Sequence, residues 1–203
     1  MMMHGSDEVR KQQIRAAAKR CFVRHGYDGT RLVDIAKEAG LSKGGIYFHY
    51  KTKSELFREI MDLHVRAMHQ RWSLEPSHEQ PPDRLLTMHV TDHLRRLDNE
   101  PEQTRLDGLL ITLAGQDPAF RQKVDEAHQA MRVYYSKLID RGIQQGFFAR
   151  GNPEGIANTI LATLTGLGAL SVLDGGQRLP VNPDEAATHV CSMVPRREMH
   201  APS

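Results

Sequence analysis

Between Glu38 and Leu56 the sequence EAGLSKGGIYFHYKTKSEL sets Gly40, Gly44 and Gly45 among Lys43, Lys51, Lys53, Tyr47, His49 and Tyr50. Ammonium, phenol and imidazole groups at this density suit phosphate oxygens and base edges. A helical glycine costs about 1 kcal/mol relative to alanine, so Gly44 and Gly45 at the start of a helical pattern call for an offsetting purpose. A second cluster is MHVTDH, where His89 and His93 at i, i+4 could hold a metal from one helix face beside Met88 and Asp92. No third ligand is identifiable, and a chain with eleven histidines contains such pairs readily, so no metal or cofactor is expected. No Gly-rich phosphate loop, nucleophile elbow or paired-carboxylate arrangement is present, so an enzyme is not expected either. A purely helical interaction protein is the remaining alternative.

These groups must be positioned by helices, because nearly every segment has helical period and none has a convincing period of two. Ile14, Ala17, Ala18, Cys21 and Phe22 form one stripe of a helix over about 8–25, which Gly26 ends. A short helix over about 32–39 stops at Gly40. Ser42 is placed to cap another over about 43–48, and Thr52 with Glu55 has capping-box spacing for a fourth that reaches Trp72. Further helices are expected over about 84–98, 102–115, 119–145, 153–173 and 183–194. Three of them open on Asp117-Pro118, Asn152-Pro153 and Asn182-Pro183, a capping side chain before a proline at the first helical position.

Charge is divided unevenly. Residues 1–53 hold eleven Lys and Arg against five Asp and Glu, while the whole chain carries only +2. A basic N-terminal quarter suits a polyanionic partner. Cys21 and Cys191 match no metal or redox spacing and fall on apolar helix faces, which fits a reducing, cytoplasmic setting. The N-terminus has no apolar run of signal-peptide length. Residues 155–173 carry no charge and reach the minimum length of a membrane span. However, Asn158, Thr159, Thr163, Thr165 and three glycines interrupt the segment. It reads as a helix buried among others, and no membrane partner is expected.

Helix, glycine turn, helix is the outline of a helix-turn-helix, whose second helix enters the major groove of DNA. Gly44 and Gly45 would let the backbone approach the duplex. Lys43 and Tyr47 would reach bases or phosphates, and Lys51 and Lys53 would meet a phosphate at the next helix N-terminus. TRLVDIAKEAGLSKGGIYFHYKTKSEL, with the preceding FVRHGYDGT, resembles the DNA-binding segment of the tetracycline-repressor (TetR) family of bacterial regulators, closely over about Ile14 to Phe57. The resemblance implies phosphate contacts at Thr30, Tyr47, His49 and Lys53, and groove-facing positions at Lys43, Gly44 and Tyr47. It implies a small core of Ile35, Ala36, Ala39, Leu41, Ile46 and Tyr50. Arg31 and Val33 depart from the usual pattern, with Thr30 then serving as the local cap.

The fold expected is therefore all-α: a DNA-binding part over 1–53 and a helical bundle for ligand binding and dimerisation over 54–203, with a disordered tail after about 195. The resemblance implies a homodimer joined through its last two helices, and helical spacing offers Ile160, Leu164, Leu167, Ala187, Val190, Cys191 and Val194 for that interface or, alternatively, for intrachain core. It also implies an apolar or amphipathic effector that releases a palindromic operator. The residues expected to line the effector site are Leu63, Ala67, Met68, Leu86, Val90, Leu109, Leu113, Met131, Tyr135, Leu138 and Thr163.

Overall fold

Prolines and capping side chains set most helix boundaries. The structure, a computed structural model, describes residues 3–173 and 178–196. Among these lie nine helices: α1 Met3–His25, α2 Leu32–Glu38, α3 Lys43–His49, α4 Lys53–Trp72, α5 Pro82–Asn99, α6 Pro101–Gln116, α7 Pro118–Gln144, α8 Pro153–Leu173 and α9 Pro183–Ser192. No strand occurs among the described residues beyond one isolated bridge, Phe148 to Arg196. Asp117 accepts from the Ala119 and Phe120 amides, Asn152 from Glu154 and Gly155, and Asn182 from Asp184 and Glu185. Each carboxylate or amide oxygen thus satisfies helix-start donors that would otherwise lack partners. The helix α1 begins five residues before the start expected at about residue 8. The expected disorder beyond about 195 concerns mainly residues 197–203, which lie outside the described ones.

Two apolar cores run along the molecule. One joins α1 to α4 with α6 and the start of α7, through Ile14, Phe22, Ile35, Ile46, Leu56, Leu106 and Phe120. The other joins the end of α4 to α5, the rest of α7, α8 and α9. The helix α4 belongs to both. Its Arg58 meets Asp117 at 2.9 Å and its Asp62 meets Lys123 at 2.5 Å, tying it to the start of α7. The helix α8 lies on α7 and α6 but buries only Ala157, Ile160, Leu164 and Ser171. It is long and apolar enough to cross a membrane by length and composition alone. The expectation that it would be covered on most sides is not met within one chain.

Candidate nucleic-acid interface and effector cavity

The left-handed backbone at Gly40 (φ +65°) reverses the chain between α2 and α3, a conformation glycine adopts without steric cost. The α2 N-terminus is held by Asp34, whose carboxylate accepts from the Arg31 amide at 3.1 Å and from its guanidinium. This arrangement replaces the cap expected of Thr30. At α3, Ser42 Oγ accepts from the Gly45 amide at 3.1 Å. Ile46 and Tyr50 turn inward, and burial followed by the Glu59 carboxylate pushes the Tyr50 phenol up to about 12. The Tyr50 hydroxyl donates to Glu59, which also pairs with Arg15 at 2.7 Å, so α1, α3 and α4 meet at one carboxylate.

The outward side of α3 is a single stripe of Lys43, Gly44, Tyr47 and Phe48. Tyr47 is 37% and Phe48 77% exposed. Sequence reasoning did not assign Phe48; its signal was its place beside Tyr47 on the face opposite Ile46. A Cβ on Gly44 would find only Ser42 Oγ, at 3.9 Å, so nothing inside the protein requires glycine there. The Gly44 backbone is therefore open to a surface that approaches α3 closely. Gly44→Ala is therefore expected to raise the melting temperature slightly, by up to about 1 kcal/mol of stability, while weakening DNA retention. Thermal melting beside a binding titration checks both.

Four residues expected as phosphate contacts are placed differently. Thr30 is 1% exposed, and its hydroxyl donates to the carbonyls of Cys21 and Gly26 at 3.2 and 2.8 Å. It closes the end of α1 and is not available to a phosphate. The His49 side chain is 11% exposed, with Nδ1 3.1 Å from Asp7, so it braces α3 on α1. Lys51 Nζ donates to the Tyr47 carbonyl at 2.8 Å. Lys53 Nζ donates to the Tyr27 carbonyl at 2.7 Å and stands 4.2 Å over the Tyr27 ring. Each ammonium keeps further N–H donors.

A cavity of about 230 Å³ opens among α4, α5, α6 and α7, lined by Ala67, Met68, Arg71, Trp72, His93, Arg96, Gln103, Asp107 and Met131 with His64 and Glu100. It adjoins one of about 500 Å³ that shares Arg71, Trp72, His93, Arg96 and Glu100 and adds His89 and Tyr134. Of the expected lining residues, only Ala67, Met68 and Met131 are here. Leu86, Val90, Tyr135 and Leu138 are buried in the second core instead, and Leu109 and Leu113 pack against the first. Leu63 faces solvent, and the Thr163 hydroxyl donates to the Thr159 carbonyl on α8. The walls are also far more polar than expected. His64 Nε2 lies 2.5 Å from Asp107 Oδ1 while Gln103 Nε2 lies 2.9 Å from its Nδ1. The tautomer carrying Nε2–H satisfies both contacts. Position 64 follows Ile60 and Met61 by four and three residues, so a polar group on the inward stripe was the signal in the sequence. His89 meets the Tyr134 hydroxyl at 3.1 Å, and no group of three or more metal-ligating residues occurs among the described ones.

The residues expected at a dimer interface are largely spent within the chain. Ile160, Leu164, Ala187, Val190 and Val194 are buried in the second core, with Leu167 and Cys191 half-buried against it. The opposite side of α8 exposes Asn158, Ala162, Thr165, Gly166, Ala169 and Leu170, and a Cβ on Gly166 would meet nothing within 4 Å. Beside it α9 exposes Thr188, His189 and Ser192, and Met193 just after it is exposed too.

Residues 14–60 match the bacterial regulatory proteins of the tetR family, and residues 82–197 match the C-terminal part of BetI-type transcriptional repressors. The HTH-type transcriptional regulator YfiR of Bacillus subtilis (strain 168) is 24% identical over 148 residues, 72% of this chain and 71% of that protein. The HTH-type transcriptional regulator QacR of Staphylococcus aureus is 37% identical over 65 residues, 32% of this chain and 35% of that one. A transcriptional regulator from Saccharomonospora viridis, solved in complex with choline, shares the fold with TM-score 0.74 at 23% identity, over 90% of this chain and 93% of that one. The families and relatives matched are transcriptional regulators, not enzymes.

Proposed function

Because the chain belongs to the tetR family of bacterial regulatory proteins, we propose that it is a homodimeric repressor that leaves a palindromic operator when a small molecule enters the cavity beside α4. Residues 1–53 read the DNA, residues 54–203 bind the effector and form the dimer, and the protein works in the cytoplasm. The observation that carries this reading is the outward stripe of α3, where Lys43, Tyr47 and Phe48 flank a glycine that the protein's own packing does not need. Such a stripe can enter a major groove, with the Gly44 backbone close to the duplex.

The dimer is built on the exposed side of α8, not on the stripe picked from periodicity. Ala162 and Gly166, one turn apart, let a second α8 approach closely, and the absence of charge suits a dry contact. Two recognition helices must then meet successive major grooves about 34 Å apart.

The helix α4 links the two functions. Lys53 at its start holds the Tyr27 carbonyl of the DNA-binding end, while His64, Arg71 and Trp72 line the cavity at its other end. An effector that favours a different seating of α4 shifts the population away from the DNA-binding form. A differential affinity of about 3 kcal/mol suffices to weaken operator binding over a hundredfold. The choline-bound Saccharomonospora viridis structure supports a small-molecule effector in this fold.

Alanine variants at Lys43 and Tyr47 test the DNA reading. Each is expected to lose about 1–3 kcal/mol of operator affinity, the size of one specifying contact, with helix content and oligomeric state unchanged. Wild-type affinity in both variants would overturn the assignment of α3.

A further inference from the structure

Two guanidinium groups line the α4–α6 cavity, and neither has a carboxylate within ion-pair distance among the described residues. We infer that the effector carries a carboxylate on an apolar chain, with its anionic group held by Arg96 and Arg71; this rests on the regulator reading above. Among the described residues Arg96 Nε is buried with no hydrogen-bond partner, and the side chain's one hydrogen bond runs from a terminal nitrogen to His93 Nδ1, at 3.2 Å. Burial, reinforced by Arg96 and Arg71, pushes the His93 imidazolium down to about 4, so the ring is neutral at ordinary pH and accepts from Arg96. Burial first, then the Arg71 charge, also holds Arg96 below the usual guanidinium range.

The neighbouring carboxylates do not resolve this shortage. Asp107 is committed to His64, and Glu75 pairs with Lys137. Glu100 and Asp92 are exposed at the rim. A buried cationic donor without an acceptor is costly, and it calls for an explanation when a native fold retains it. A ligand carboxylate supplies two oxygens in the planar geometry a guanidinium matches. Trp72, Met68, Met131 and Ala67 give the same cavity an apolar wall for the rest of the molecule. A cationic ligand would instead bring a third like charge beside Arg71 and Arg96.

Trp72 is the only tryptophan in the chain and lines this cavity and two neighbouring ones, so its emission reports binding and the arginine variants below assign that binding to this cavity. Octanoate is expected to change that emission saturably, whereas 1-octanol and octylammonium at the same concentrations bind at least about tenfold more weakly, the scale of a charge-assisted hydrogen bond. Arg96→Gln should weaken octanoate by a similar factor. Arg95→Gln should leave it unchanged, because Arg95 is exposed and pairs with Asp184 on α9. If Arg96→Gln fails to fold, Arg71→Gln, at an exposed position, gives the same comparison. No response to octanoate, an equal response to 1-octanol, or tighter binding of octylammonium would overturn the inference. Operator retention on the same samples separates the two readings. Octanoate bound at Trp72 without release of DNA would keep the anion site and sink the effector role. Release by octylammonium or 1-octanol alone would keep the regulator and sink the anion site.

Discussion

Ala162→Glu is expected to give a folded monomer that no longer holds its operator. Ala162 lies on the exposed side of α8, so the longer side chain meets solvent in a single chain and helix content should not change. In the proposed dimer the same position faces the partner's α8. A carboxylate buried there without a partner costs several kcal/mol, enough to dissociate a dimer at working concentrations. Losing the second half-site contact removes the gain from tethering two recognition helices, about a hundredfold or more in affinity. Sedimentation should show a single chain, and operator binding should fall by that factor. A variant that remains dimeric would place the interface elsewhere on the molecule.

The largest expected effect on folding comes from Gly142→Ala. Gly142 is buried near the end of α7, and a Cβ there would lie 2.2 Å from Cδ2 and 2.3 Å from Cε2 of Phe148. The ring has little freedom to withdraw. Phe148 is buried, and the amides of Phe147 and Phe148 both donate to the Gly142 carbonyl, at 2.8 and 3.1 Å. Overpacking of this kind costs about 1–3 kcal/mol, and in a chain of this size each kcal/mol lowers the melting temperature by about 2–4 °C. Thermal melting checks it, and an unchanged melting temperature would mean that Phe148 is not held where the turn places it.

The helices were legible because their signals are local. Asp117-Pro118, Asn152-Pro153 and Asn182-Pro183 announce three helix starts, and each cap forms as the side chain requires. The start of α1 was missed because Met3 to Asp7 contribute no apolar stripe. The α3 stripe was legible from Gly44, Lys43 and Tyr47, yet periodicity could not tell that Thr30 folds inward onto two carbonyls or that Lys53 spans to Tyr27. On α8 the apolar stripe through Ile160 and Leu164 reads, by spacing alone, as an interface. A helix with no charge has two sides fit for burial, and only the tertiary structure shows which one its own chain covers. The cavity was the least legible part. His64 and Asp107 are 43 residues apart, and the polar wall they form exists only when α4 and α6 are packed together.

The central claim is that the chain reads DNA as a symmetric pair of α3 helices. Selection from a random duplex library by the purified 203-residue chain at physiological salt, followed by sequencing, tests this most directly. The account predicts enrichment of an inverted repeat whose half-site centres lie about one helical turn apart, with retention falling steeply as salt rises. A folded dimer that enriches no sequence, before and after refolding free of small molecules, would contradict it.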